Sequence, residues 1–184
     1  MKDLGTLTIE TDRLILRKIT IEDAIDMYNN WCKEDLVSKY VPWSTHKDVE
    51  ETKTIISKWI EEYKNEHTYN WIVVLKENNE PIGTISVTKR YIEHKTCEIG
   101  YVYGSKYWSK GYGTEALKAV INYLINDVGF SCIQSCHIDV NPASGKVMEK
   151  SGMILDGVLH SCKIDKSSGK RCDLVNYYIL NNKE

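Results

Sequence analysis

The chain has 184 residues, 42% of them apolar and 27% charged, with a formal net charge of −2. That is the composition of an ordinary globular protein, long enough to bury roughly 70% of its unfolded surface, so one domain over residues 1–184 is expected. A nearly balanced charge gives no bulk pull toward nucleic acid or anionic lipid, no apolar run reaches the roughly 18 residues of a membrane span, and the start "MKDLGTLTIETDRL" lacks a signal-peptide core; no nucleic-acid or membrane partner is expected, and a cytoplasmic location is.

"TLTIETDRLILRKI" reads as an opening strand, and "TIEDAIDMYNNWCKE" as a helix with Thr20 at its N-cap and an acidic first turn. A second helix is predicted over "HKDVEETKTIISKWIEEYKNE", with Val49, Ile56, Trp59, Ile60 and Tyr63 as its apolar stripe. "YNWIVVLK" and "PIGTISVTK" read as a hairpin around "ENNE", and "TCEIGYVYG" as a further strand. Beyond Gly113, Leu117, Val120, Ile121, Leu124 and Val128 recur at helical spacing, and the glycine of "NDVGF" closes that helix. "SCIQSCHIDV" is a strand, "NPASGKVMEKSG" a short helix, and "MILDGVLHSCKI" with "RCDLVNYYIL" a closing strand pair. Antiparallel strands followed by a crossover helix and two parallel strands give an α/β (α+β) fold, a mixed, mostly antiparallel twisted sheet with helices on both faces.

The six cysteines are too scattered for a disulfide scaffold. Cys132 and Cys136 share a strand face with Ile138, which favours packing, and "CH" at 136–137 with "HSC" at 160–162 is a poor zinc pattern. No metal is expected.

The stretch "SKYWSKGYGTEALKAV", residues 105–120, sets two glycines and a lysine just before a helix. A helix start exposes unpaired N–H groups and the positive end of the dipole, and glycine lets a phosphate approach them closely. Ser109, Lys110, Gly111, Tyr112, Gly113 and Thr114 can form such a cradle; the plainer alternative is a strand-to-helix turn with a snorkelling lysine. "GYGTEA" satisfies the loose dinucleotide fingerprint G-x-G-x-x-G/A, but the strand ends about seven residues too early and the antiparallel run upstream does not suit a doubly wound sheet. The P-loop pattern is absent.

"YWSKGYGTEA" resembles the coenzyme A pyrophosphate loop of the GNAT acyltransferase superfamily, Q/R-x-x-G-x-G/A, with Trp108 where that pattern has Gln or Arg. "TDRLILR", "YVPWST", "CEIGYVY", "NPASGKVMEKSGM", "DGVLH" and "DLVNYYIL" resemble, in order, segments of its RimJ/RimL-like branch, the N-terminal acetyltransferases of ribosomal proteins and their relatives. The resemblance implies a GNAT sheet splayed at the strands flanking the loop, and direct acetyl transfer from acetyl-CoA to an amine. It implies that Trp108 and residues 109–114 hold the cosubstrate, that main-chain groups of Tyr101, Val102 and Tyr103 bind its pantetheine arm like an added strand, and that the N–H of Val102 polarises the thioester carbonyl. Asn141 is expected beside the arm, or as no more than the N-cap before Pro142. Ser144 is expected beside the sulfur as a donor to the departing thiolate, because Met148 stands where many members carry a tyrosine acid.

Glu98 shares a strand face with Gly100 and Val102 and is the candidate base, directly or through water; the alternative is a solvated strand carboxylate. Tyr101, Tyr103, His160 and Asp173 are expected to line the acceptor side, and Arg17 to be structural. The acceptor most in keeping with a weak base is a peptide or protein N-terminus, since an α-amine has a pKa of about 8 against about 10.4 for lysine. Acetylation of an antibiotic or polyamine, or a catalytically idle CoA-binding module, are the alternatives, and monomer and homodimer stay open.

Overall fold

The structure is a computed structural model and describes residues 1–181. Its framework is one eight-stranded sheet in the order β1-β2-β3-β4-β5-β6-β8-β7. The opening segment forms two short strands, β1 (Ile9–Glu10) and β2 (Leu14–Arg17), where one was expected. They are separated by a turn in which the Thr11 N–H donates to the Leu14 carbonyl. β3 (Asn70–Leu75) and β4 (Pro81–Tyr91) form the expected hairpin, and β5 (Thr96–Tyr103) lies antiparallel beside β4. β5 and β6 (Cys132–Ile138) are the parallel pair; β8 (Arg171–Leu180) follows β6, and β7 (Ile154–Ile164) is the exposed edge.

The helices cover both faces. On one lie α1 (Ala24–Met27), α2 (Asp35–Ser38) and α3 (Val49–Glu62); on the other lie α4 (Tyr112–Asn122) and α5 (Pro142–Lys150). The apolar run of β3 is buried throughout and divides by strand alternation: Trp71, Val73 and Leu75 pack toward α4, Ile72 and Val74 toward α1–α3. The expected stripe is buried, although the α-helix gives way to a π-helical segment at Tyr123–Val128: Leu117 and Val120 on α4 and Leu124 and Val128 on that segment are at most 1% exposed. Truncating Leu117 to alanine is therefore worth about 2–5 kcal/mol. Gly129, at φ 93°, ends this segment in the left-handed conformation that favours glycine.

Two expectations change. Ile60 of α3 is 39% exposed, leaving Ile56 as that helix's fully buried apolar anchor. The first helix is interrupted: after a 3₁₀ turn at Ile21–Asp23 and the short α1, residues Tyr28–Cys32 widen into a π turn. The wide turn has a tertiary cause. Asn30 donates its amide to the Pro81 carbonyl at 2.7 Å, and its own carbonyl comes so close to Gly104 that a Cβ there would be 2.1 Å away. The Arg17 guanidinium meets both oxygens of the buried Asp23 carboxylate at 2.7 and 2.8 Å, which fits its structural reading.

Candidate functional site

β5 and β6 pair only over their first residues, Thr96 to Glu98 against Cys132 to Gln134. The ladder stops because the next register position holds Ser135, whose buried hydroxyl donates to the Ile99 carbonyl at 2.9 Å. Beyond it the strands diverge, leaving a wedge roofed by α4 and α5. Main-chain direction alternates along β5. The Glu98 carbonyl and the Gly104 N–H bond to β4, whereas the Ile99 carbonyl turns toward β6 and the Tyr103 carbonyl accepts from the Trp108 indole at 2.8 Å. The same alternation turns the N–H of Tyr101 into the wedge and that of Val102 toward Thr84 on β4. This corrects the expectation for Val102: the amide aimed between the strands is that of Tyr101.

The loop after β5 carries the features of an anion cradle. Ser109 and Gly111 have φ of 60° and 81°, a pair of left-handed residues around Lys110 that turns successive amides outward. No hydrogen-bond acceptor among the described residues serves the N–H groups of residues 109–114; the first satisfied amide of α4 is that of Glu115, bonded to the Gly111 carbonyl at 3.0 Å. Trp108 to Gly111 are exposed, and Gly113 faces the Tyr103 ring, which a Cβ would approach to 3.2 Å. Six unpaired amides, a helix N-terminus and the Lys110 ammonium fit a diphosphate.

Sequence reasoning missed what holds this loop still. The Glu115 carboxylate accepts from the Thr11 hydroxyl at 2.6 Å, the Arg13 N–H at 2.9 Å and the Arg13 guanidinium at 2.6–2.7 Å. The guanidinium also donates to the Lys110 carbonyl at 3.0 Å and stacks 4.5 Å from the centre of the Tyr112 ring. Burial opposes ionisation of Glu115, but the hydroxyl, amide and guanidinium outweigh it and its pKa lies below the usual value. From the other side, Glu34 accepts the Ser105 N–H at 3.1 Å. Arg13 stands in "TDRLILR", but nothing local in that segment points to a loop about a hundred residues away.

At the α5 end of the wedge, Asn141 precedes Pro142 as expected, yet its side chain forms no cap bond and has no partner among the described residues. Its alternative reading as a plain cap therefore loses its ground. Ser144 lies in the first turn of α5, and the Tyr101 hydroxyl sits 2.9 Å from both its carbonyl and its Oγ. Met148 is 1% exposed, a core residue.

Glu98 projects from the opposite face of β5, away from Tyr101. Its carboxylate pairs with Lys89 at 3.0 Å and borders a cavity of about 70 Å³ walled also by Gln134, Cys136, Asp156 and Asn176. The expected acceptor-side cluster does not assemble. Tyr101 and Tyr103 turn toward α4 and α5, whereas His160 and Asp173 pair with each other at 2.8 Å on the exposed β7–β8 hairpin. The turn of that hairpin reaches the segment after α2, where Lys166 donates to the Trp43 carbonyl at 2.6 Å. Among the described residues, no group of three or more His, Cys, Asp or Glu side chains is arranged to hold a metal ion, and no helix is long and apolar enough to cross a membrane.

The sheet opens between two parallel strands, and the opening ends at an amide-lined helix start, an arrangement suited to an extended ligand that carries a diphosphate. The "Acetyltransferase (GNAT) domain" family matches residues 13–154, and the chain belongs to that family. It is similar to the uncharacterised N-acetyltransferase YnaD of Bacillus subtilis, 30% identical over 154 residues, or 84% of this chain and 86% of the relative. Its fold is similar to that of a GNAT-family acetyltransferase from Bacillus anthracis, with TM-score 0.82, 29% identity, and coverage of 96% of this chain and 100% of the other. It is also similar to the fold of RimL, a ribosomal L7/L12 α-N-protein acetyltransferase in complex with coenzyme A, with TM-score 0.84, 16% identity, and coverage of 97% and 100%. Acetyl-CoA is accordingly the cosubstrate of this protein.

Proposed function

We propose that the enzyme transfers the acetyl group directly, within a ternary complex, to the α-amino group of a peptide or protein N-terminus. The observation that carries this reading is the charge of the cavity beside the wedge. It holds two carboxylates, Glu98 and Asp156, and Lys89 neutralises the first. A polycationic antibiotic or polyamine requires a strongly acidic cleft, whereas a single ammonium group suits this one. The likeness to the RimL fold supports the same class of acceptor. Such acceptors and acetyl-CoA meet in the cytoplasm, to which the reaction is assigned.

Each job in the reaction has a residue suited to it. The amides of residues 109–114 and the Lys110 ammonium hold the diphosphate, with Trp108 bracing the loop against the end of β5. The unengaged Asn141 side chain and the wedge-facing main chain of Tyr101 and Tyr103 hold the pantetheine arm. The Tyr101 N–H polarises the thioester carbonyl, and Ser144 donates to the sulfur as the C–S bond breaks and the N–C bond forms. Glu98 takes the ammonium proton. About 10 Å of strand separates Glu98 from Tyr101 at 3.3 Å per residue, so the proton travels through water past Gly100, where the Thr88 methyl lies 3.0 Å from the Cβ position. An α-amine with pKa about 8 is roughly one-tenth neutral at pH 7, and a remote carboxylate suffices for the remainder.

A thiol-release screen with acetyl-CoA against N-terminal peptides, lysine peptides, polyamines and aminoglycosides tests the proposal. Release with N-terminal peptides is expected. Release with small polyamines or antibiotics alone would move the acceptor to that class, and no release with any amine would leave a CoA-binding module.

A further inference from the structure

The structure assigns the Tyr101 side chain as the positioning residue that makes Ser144 an effective donor to the leaving thiolate, an inference that rests on the role proposed above for Ser144. The α5 helix offers no phenol of its own, since Met148 is buried in the core. The phenol comes instead from β5, across the wedge. Its oxygen stands 2.9 Å from Ser144 Oγ and 2.9 Å from the Ser144 carbonyl, both partly buried.

Counting hydrogens shows what the pair can do. Tyr101 carries one hydroxyl hydrogen and has two acceptors in reach. When it donates to the Ser144 carbonyl, the phenol oxygen is left as an acceptor that competes with a ligand for the serine hydrogen. When it donates to Ser144 Oγ, the serine hydrogen is free to point away, into the wedge. Negative charge on a departing sulfur selects the second arrangement, and the phenol then polarises the serine hydroxyl. The pair is a donor that switches on as charge appears, which is the property transition-state stabilisation requires.

Bonds and protons balance without ionising the phenol. The ammonium proton leaves through Glu98 to solvent before attack, the acceptor nitrogen bonds to the acetyl carbon, the C–S bond electrons go to sulfur, and the nitrogen gives up a second proton to water as the amide forms. The thiolate takes its proton from solvent on release. Burial raises the Tyr101 pKa far above the roughly 8.5 of a thiol, so the hydroxyl chain only lends hydrogen bonds.

The test is a mutant cycle of Tyr101→Phe, Ser144→Ala and the double variant, read as kcat and as KM for acetyl-CoA, with CoA affinity by calorimetry. Phenylalanine keeps the ring and its packing 6.1 Å from Tyr103. We expect kcat to fall about tenfold in Tyr101→Phe, about 30- to 100-fold in Ser144→Ala, and no further in the double variant, with CoA affinity within twofold throughout. A tenfold loss from Tyr101→Phe in the Ser144→Ala background would overturn the inference, since the phenol would then act on its own. Loss of CoA affinity or unchanged kcat in Tyr101→Phe would overturn it equally. Full activity in Ser144→Ala would instead remove the underlying role of the serine, a separate and distinguishable failure.

Discussion

Ser135 is the residue on which the wedge hinges, and its removal has a calculable effect. Its hydroxyl, 3% exposed as a residue, donates to an Ile99 carbonyl that has lost its ladder partner where β5 and β6 part. In Ser135→Ala the carbonyl is left buried and unsatisfied, at a cost of about 1–3 kcal/mol. One oxygen is deleted, so the cavity contribution is small. The unfolding entropy of a 184-residue chain, at about 2.1 cal/mol/K per residue, is about 0.39 kcal/mol/K, and 2 kcal/mol then lowers Tm by about 5 °C. Thermal unfolding followed by circular dichroism, with a urea titration beside it, measures this directly. A Tm unchanged within a degree, with an unchanged urea midpoint, would show that the carbonyl finds another partner and that Ser135 does not define where the sheet opens.

Gly111→Glu is expected to weaken CoA binding about 10- to 100-fold relative to Gly111→Gln, which carries the same left-handed strain. A carboxylate about 5 Å from a phosphate at an effective dielectric near 20 costs about 3 kcal/mol, and Arg13, 3.4 Å from the Cβ position, offsets part of it. Equal affinities by calorimetry would remove the cradle. Glu98→Gln is expected to shift the pH–rate profile upward, so that turnover follows the neutral fraction of the amine, while CoA affinity stays unchanged; an unaltered profile would put the base elsewhere. Glu115 has a depressed pKa in the folded state, so its contribution to stability is present above the unfolded value of about 4.3 and fades as pH falls through the folded value. The stability gap between wild type and Glu115→Gln in urea unfolding should therefore be widest near neutrality and close toward pH 3; a gap independent of pH would contradict the ion-pair account.

The comparison of sequence with structure divides along a physical line. The α4 stripe, the strand pair around "ENNE" and the glycines before α4 were legible because each is a local matter: spacing decides which face is apolar, and a left-handed φ selects glycine. The unpaired amides of residues 111–114 follow from the same local logic, since any helix start leaves four of them. Where two distant segments had to meet, the sequence was silent. The π turn at Tyr28–Cys32 forms because Gly104 admits the Asn30 carbonyl, and Arg13 reaches Glu115 across 102 positions. Strand parity was inferred for side chains but not for main-chain direction, because that depends on which neighbour pairs with which edge. Val102 thus yielded to Tyr101. Residue order by itself pointed to most of the elements, to the glycine-rich helix start and, through the family resemblance, to acetyl transfer. Only the tertiary structure decided where the sheet opens, which amide looks into the opening, and that a tyrosine from a strand stands over the serine of a helix, because those depend on contacts between segments that no local propensity encodes.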